Sequence, residues 1–179
     1  MKILAPTGCP RKGSNTDILV DKILEGAKTR RHATEKLRLY DYEILPCLDC
    51  RRCKEIETAY TCALKDGMQE IYSRLEDADI IVFGTPIYWY GPTAKMKLFI
   101  DRLRPFIASR RLVGKKGIIV VPSEEGPECC GPIQEMFRMS FDYLGMENAG
   151  SILAQAYERK EIEKSPSELK RAFELGWSL

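Results

Sequence analysis

Short apolar runs alternate with segments whose apolar positions recur every three or four residues. Lys2–Ala5 is an apolar run stopped at Pro6-Thr7-Gly8, and it reads as a strand. Thr16–Thr29 places Ile18, Leu19, Ile23, Leu24 and Ala27 at helical spacing. Ser14 precedes that helix, and Asp17 stands where a capping box needs an acid. Glu35–Tyr40 alternates, with Leu37 and Leu39 on one face, and predicts a second strand. Asp66-Gly67-Met68-Gln69 has capping-box spacing and predicts a helix to about Leu75. Asp79–Gly84 carries Ile80-Ile81-Val82-Phe83, the continuous apolar run of a strand covered on both faces. Thr93–Leu103 is helical, with Met96, Phe99, Ile100 and Leu103 inward. Gly117–Val121 repeats the buried-strand pattern, and Pro132–Leu144 is a helix with Pro132 in its first turn. Gly150–Ala156 reads as the last strand, and Ser165-Pro166-Ser167-Glu168 opens a final helix.

Five strands alternating with five helices predict an α/β fold: an open parallel sheet with helices on both faces. At this size the flavodoxin-like strand order 2-1-3-4-5 leads. Ligands then bind beyond the carboxyl ends of the strands, at the switch point between strands 1 and 3. The loops at 6–16, 84–92 and 122–131 therefore carry the candidate chemistry.

Composition narrows the picture. The 179 residues allow a single domain, 1–179, large enough to bury its own core. A net charge of +2 gives no footprint for nucleic acid or acidic lipid. No apolar run is long enough to span a membrane. Met1 leads directly into a strand, so no signal peptide is expected and a cytoplasmic location is. The single histidine, His32, follows Lys28, Arg30 and Arg31 at a helix end, where a cation is favoured. A His-based triad or a His-rich metal site is thereby disfavoured.

The first loop, Gly8-Cys9-Pro10-Arg11-Lys12-Gly13-Ser14-Asn15-Thr16, joins a strand to a helix N-terminus. Its backbone N–H groups, hydroxyls, amide and arginine suit a phosphate dianion, although a polar turn with a serine cap would also read this way. It is neither a Walker loop nor a GxGxxG fingerprint. The second loop, Thr85-Pro86-Ile87-Tyr88-Trp89-Tyr90-Gly91-Pro92, sets three adjacent aromatics at the carboxyl edge of the sheet. They suit a flat aromatic ligand, or an interface or core patch. A phosphate cradle beside an aromatic platform describes a flavin mononucleotide site.

The stretch from Ala78 to Tyr90, continued by Lys97-Leu98-Phe99-Ile100-Asp101-Arg102, resembles the NADPH-dependent FMN reductase family. With the cysteine loop added, the chain is most similar to the iron-sulfur flavoprotein branch, over roughly residues 1–145. The family usually has Gly-Ser-Pro-Arg in the first loop, and Cys9 stands here in place of the serine. At that position either a weaker S–H donor or the backbone N–H alone would serve. The resemblance implies a phosphate held by Arg11, Ser14, Asn15 and Thr16, with Cys9 in the same loop. It implies an isoalloxazine against Pro86, Ile87, Tyr88 and Trp89, with Gly91 and the loop holding Ser123 and Gly126 closing the site. Asp101 and Arg102 match family positions and read as a structural ion pair at the helix end.

Seven cysteines are many for this length, and without a secretory signal a disulfide framework is not expected. Cys47, Cys50 and Cys53 lie in one short loop, followed by Cys62. This compact spacing suits a [4Fe–4S] cluster better than zinc, which usually takes two paired knuckles. Arg51, Arg52 and Lys54 would offset the cluster's charge. The last gap is slightly longer than the family's, and free or redox thiols are the other reading. Cys129-Cys130 stands at a helix start, as reactive thiols or as plain loop lining.

The leading expectation is an FMN-dependent oxidoreductase relaying electrons between a [4Fe–4S] cluster and FMN. No catalytic side chain is assigned, because the flavin carries the chemistry. The donor would be a reduced nicotinamide or ferredoxin, and the assembly a homodimer or homotetramer. A cluster-free NAD(P)H-dependent FMN or quinone reductase is the second reading. A flavodoxin-like electron carrier and a metal-binding regulatory module are the others.

Overall fold

The computed structural model describes residues 1–179, Thr58 by its backbone alone. Five parallel strands form the sheet: β1 (Lys2–Thr7), β2 (Ala33–Arg38), β3 (Ile80–Gly84), then β6 (Lys116–Ser123) and β7 (Glu147–Gln155). Between β3 and β6 the chain makes a small antiparallel hairpin, β4 (Ile87–Tyr88) and β5 (Gly91–Pro92). The order in the sheet is β2-β1-β3-β6-β7, which is the expected 2-1-3-4-5 once the hairpin is set aside. The helices are α1 (Asn15–Thr29), α2 (Met68–Asp77), α3 (Ala94–Asp101), α4 (Pro105–Ser109), α5 (Gly131–Leu144) and α6 (Pro166–Trp177).

The sheet is covered on both faces, so its central strands can be apolar throughout. All of β3 is buried, as is β6 from Gly117 onward. One core packs Leu4, Ile81 and Phe83 against α2, α3, α4 and α5. Phe83 lies at its centre, with ring centroids 6.1, 5.4 and 5.3 Å from Phe99, Phe137 and Phe141. The other core packs Ile3, Ile80, Val82 and Ile118 against α1 and α6. The alternation of Ile80 and Val82 with Ile81 and Phe83 thus feeds opposite layers.

Element boundaries differ from the sequence pattern in instructive places. β1 continues through Pro6 and Thr7: Pro6 is in register with Leu37 on β2, and no register partner on β3 is formed at Pro6. The second strand is shifted, with Leu39–Asp41 turning into a single 3-10 turn. The helix expected over Thr93–Leu103 breaks at Arg102, and α4 begins afresh at Pro105. At α1 both arms of the capping box are made. At α2 they are not: Asp66 accepts from Met68 N–H, while Gln69 turns back to the carbonyls of Cys62 and Leu64. Ser165 starts α6 without a side-chain cap bond.

Candidate functional site: a cavity at the strand ends and a cysteine-lined pocket

The carboxyl ends of β1, β3 and β6 lead into the three loops singled out above. Gly8 is pressed on α3: a Cβ there would stand 2.7 Å from Met96 Cβ. Its N–H donates to Gly84 O at 2.8 Å, and its carbonyl accepts from Thr93 Oγ1 at 2.5 Å. The first loop is thereby fixed to the base of the hairpin. Cys9, Ser14, Asn15 and Thr16 are buried, while Arg11 is exposed at the loop tip. Ser14 Oγ accepts from Asp17 N–H at 3.2 Å, and Ser14 N–H donates back to Asp17 Oδ2 at 3.2 Å. Asn15 does not turn its amide to the loop. Its Nδ2 donates to Glu158 O at 2.8 Å and its Oδ1 accepts from Ile162 N–H at 3.2 Å. Arg159 adds a bond from its guanidinium to Lys12 O at 3.0 Å. The segment 157–162 therefore braces the first loop, a role that its position in the sequence did not reveal.

Beside this loop lies a cavity of about 710 Å³. Arg11, Pro86, Ile87, Tyr88, Trp89 and Ser123 line it, as the sequence led us to expect. So do Tyr90, Pro122, Glu124 and Glu125, and, from outside the expected set, Cys129, Ala156, Tyr157 and Glu158. Cys9, Ser14, Asn15, Thr16, Gly91 and Gly126 are not in its lining. Trp89 is 97% exposed, so it borders the mouth from the hairpin tip and is not a wall. Gly126 works through its carbonyl, which accepts from Ser123 Oγ at 2.7 Å and from the thiols of Cys129 and Cys130. Burial pushes the Cys130 thiol up, the Ser123 hydroxyl pulls it down, and Cys129 pushes it up further.

The residues fit a terminal phosphate. Thr7 Oγ1 and Thr16 Oγ1 are buried without a hydrogen-bond partner among the described residues. Helix geometry leaves the first N–H groups of α1 without intrahelical partners, and of these Asp17 N–H is taken by Ser14 Oγ. A dianion at this N-terminus would meet hydroxyl donors, backbone donors, the helix dipole and Arg11 together.

Cys47, Cys50, Cys53 and Cys62 line a second, smaller cavity of about 20 Å³, with Asp101, Arg102 and Arg104. Among the described residues no three His, Cys, Asp or Glu side chains are grouped as a single metal ion would need. Four thiols around one void are nonetheless the donor set that a cluster takes at its separate corners. Burial pushes the Cys53 thiol up, Cys62 adds to it, and Arg104 pulls it down. Cys47 and Cys50 also raise it, so Cys53 feels the other three thiols.

Asp101 and Arg102 do not pair, contrary to expectation. Adjacent residues on a helix point to different sides. Asp101 takes Lys97 one turn back, at 2.6 Å on the surface. Arg102 instead pairs with Asp66 at 2.5 Å, both side chains 1% exposed, and donates to Cys62 Sγ at 3.3 Å. Arg51 pairs with Asp49 at 3.7 Å near the surface, so the loop's own cation is turned partly to water.

The chain is 35% identical over 117 residues to iron-sulfur flavoprotein MJ1083 of Methanocaldococcus jannaschii, covering 65% of this chain and 59% of that protein. It spans about half the length of other iron-sulfur flavoproteins, from Methanosarcina thermophila (52%) and Archaeoglobus fulgidus (49%). It is 28% identical over 183 residues to the putative NAD(P)H-dependent FMN-containing oxidoreductase YwqN of Bacillus subtilis, covering 98% of this chain and 96% of that one. Among solved structures, NAD(P)H:quinone oxidoreductase from Methanothermobacter marburgensis superimposes with a TM-score of 0.79 at 17% identity, over 99% of this chain and 95% of that one. No helix is long and apolar enough to cross a membrane among the described residues. Residues 1–157 match the NADPH-dependent FMN reductase model, and the chain belongs to that family, alongside its iron-sulfur flavoproteins.

Proposed function

We propose that the chain is an FMN-dependent oxidoreductase that takes electrons from a reduced nicotinamide and exchanges them with a [4Fe–4S] cluster. The observation that carries the flavin half is the 710 Å³ cavity at the strand ends; the unpartnered hydroxyls of Thr7 and Thr16 lie outside its lining, at the two ends of the adjoining first loop. When bound, the flavin and the cluster supply the electron chemistry. The chain supplies position and surroundings. Thr7, Thr16, Arg11 and the α1 N-terminus hold the phosphate, with the backbone of Cys9, Ser14 and Asn15 shaping the turn. Pro86, Ile87 and Tyr88 set the plane of the ring, and Ser123 and Gly126 hold the facing loop shut. Trp89 and Tyr90 border the open side, where a nicotinamide would stack. Cys47, Cys50, Cys53 and Cys62 would hold the cluster.

Anaerobic reconstitution tests both halves. Bound flavin is identified as FMN or FAD, and iron and sulfide are counted. Equal affinity for riboflavin and FMN would rule out the phosphate cradle. Flavin without iron or sulfide would leave a cluster-free NAD(P)H-dependent flavin or quinone reductase, a reading that YwqN's name and full-length match favour.

A further inference from the structure

Arg102 ties together the neck of the cysteine loop. Its Nη1 donates to Asp66 Oδ2 at 2.5 Å, and its Nη2 to Oδ1 at 3.1 Å. Nη1 also donates to Leu45 O at 2.8 Å. Asp66 Oδ2 in turn accepts from Leu45 N–H at 2.8 Å. Leu45 enters the loop just ahead of Cys47, and Asp66 leaves it just after Cys62. One ion pair therefore closes both ends. Tyr72 fixes Arg102 from its other side, donating to the Arg102 carbonyl at 2.8 Å.

A buried ion pair is weak evidence for stability, since apolar replacements are often as stable. This one faces the cysteine cavity, and its Nη2 donates to Cys62 Sγ at 3.3 Å. Its Nε–H is buried with no partner among the described residues, so a donor remains for a further acceptor there. Arg104 is different: it is about one-third exposed and engaged with Asp49 at 2.9 Å, so water screens its charge.

We infer that Arg102, oriented by Asp66, is the positioning residue of the cysteine cavity and raises the reduction potential of a cluster ligated by Cys62. The inference rests on the cluster half of the proposed function. A cationic N–H donor withdraws electron density from the ligating sulfur and stabilises the more negative, reduced cluster. Reduction adds one electron, moves no proton and breaks no bond. The electron comes from the flavin in turnover and from dithionite in the test.

The test compares the parent chain, Arg102→Lys, and the double variant Asp66→Asn with Arg102→Gln, which leaves no unpaired buried charge. Each is reconstituted anaerobically with ferrous iron and sulfide. Iron, sulfide and FMN are counted, and the cluster is titrated with dithionite and followed by electron paramagnetic resonance. The expected result is a full cluster and bound FMN in all three. In the double variant the reduction equilibrium falls at least about tenfold, or about 59 mV for one electron. Arg102→Lys keeps the charge but loses the fork, and its drop is smaller, about threefold or more. Should the double variant fail to fold by circular dichroism, Arg102→Lys decides alone. A full cluster at the parent potential overturns the inference and leaves the cluster standing. A folded parent chain that takes up FMN but no iron or sulfide overturns the cluster reading, and the inference with it.

Discussion

Two side chains separate binding from scaffolding at the scale of single residues. Arg11 borders the cavity from an exposed loop, so its loss should leave the fold intact. Arg11→Ala is expected to weaken FMN by about 1.5–3 kcal/mol, roughly 10–150-fold, and riboflavin hardly at all. Flavin fluorescence titrations with both ligands measure this. Asp66 is the opposite case. Asp66→Ala would strand a buried guanidinium, at a cost of about 3–5 kcal/mol in urea unfolding. Its titration has a definite sign. Burial alone would push the Asp66 carboxyl up, but the bonds from Arg102 and from the Leu45 and Met68 N–H groups outweigh it and hold it below the usual value. A group lowered on folding stabilises the native state above its unfolded pKa of about 3.9, and that contribution is lost as pH falls through the folded value. The parent chain should therefore lose more stability between about pH 5 and pH 3 than the Asp66→Asn, Arg102→Gln variant. Urea midpoints at the two pH values check it, and equal losses would count against the pair.

The β4–β5 hairpin is the element that departs furthest from its sequence. Its two turn residues, Trp89 and Tyr90, both have positive φ, 51° and 61°. A two-residue hairpin of this kind favours Asn-Gly, and bulky aromatics there are strained by about 1–3 kcal/mol each. Replacing Trp89-Tyr90 by Asn-Gly should raise the stability of the ligand-free chain by about 1–2 kcal/mol and weaken FMN binding. Thermal melts with and without FMN separate the two effects. This hairpin also shows what the sequence hides. Strands of two residues have no period to read, and its turn lacks the usual Asn or Gly signal. The central strands were legible because the Ile-Ile-Val-Phe and Ile-Ile-Val-Val runs are too short for a helix and too apolar for a surface loop. Ser14 and Asp17 were legible because capping is local. The Asp66–Arg102 pair, the Asn15 bond to Glu158 and the Tyr157 side of the cavity were not, because each joins segments far apart in the chain. Sequence spacing put Cys47, Cys50, Cys53 and Cys62 in one loop, and they line one cavity, but it did not show which cation would reach them.

The two cavities lie at opposite ends of α3. They share no lining residue. The hairpin and Thr93 stand at the start of α3, and Arg102 caps its end. Eight residues of helix put about 12 Å between these points. The loop leaves β2 on the side of the sheet where the larger cavity opens, but its cysteines are carried to the far end of α3. On the proposed function, an electron relay within one chain would cross this separation, whereas a second chain could bring its own cysteine cavity to the mouth of the larger one. The mouth is suited to being covered. Tyr88, Trp89, Tyr90 and Tyr157 are 48, 97, 60 and 61% exposed around it, and aromatic residues are enriched in interface cores. We therefore expect a homodimer or homotetramer in which these side chains are buried against a partner. Sedimentation should give a multiple of the 20.4 kDa chain at micromolar concentration. Trp89→Glu should shift the population toward monomer and weaken FMN in step, since the partner would cover the flavin. The melting temperature of the FMN-loaded parent should also rise with protein concentration, as mass action requires of a ligand held between chains. A monomer that binds FMN as tightly as any larger species would show that the aromatic rim serves the ligand alone, and any relay would then lie within one chain.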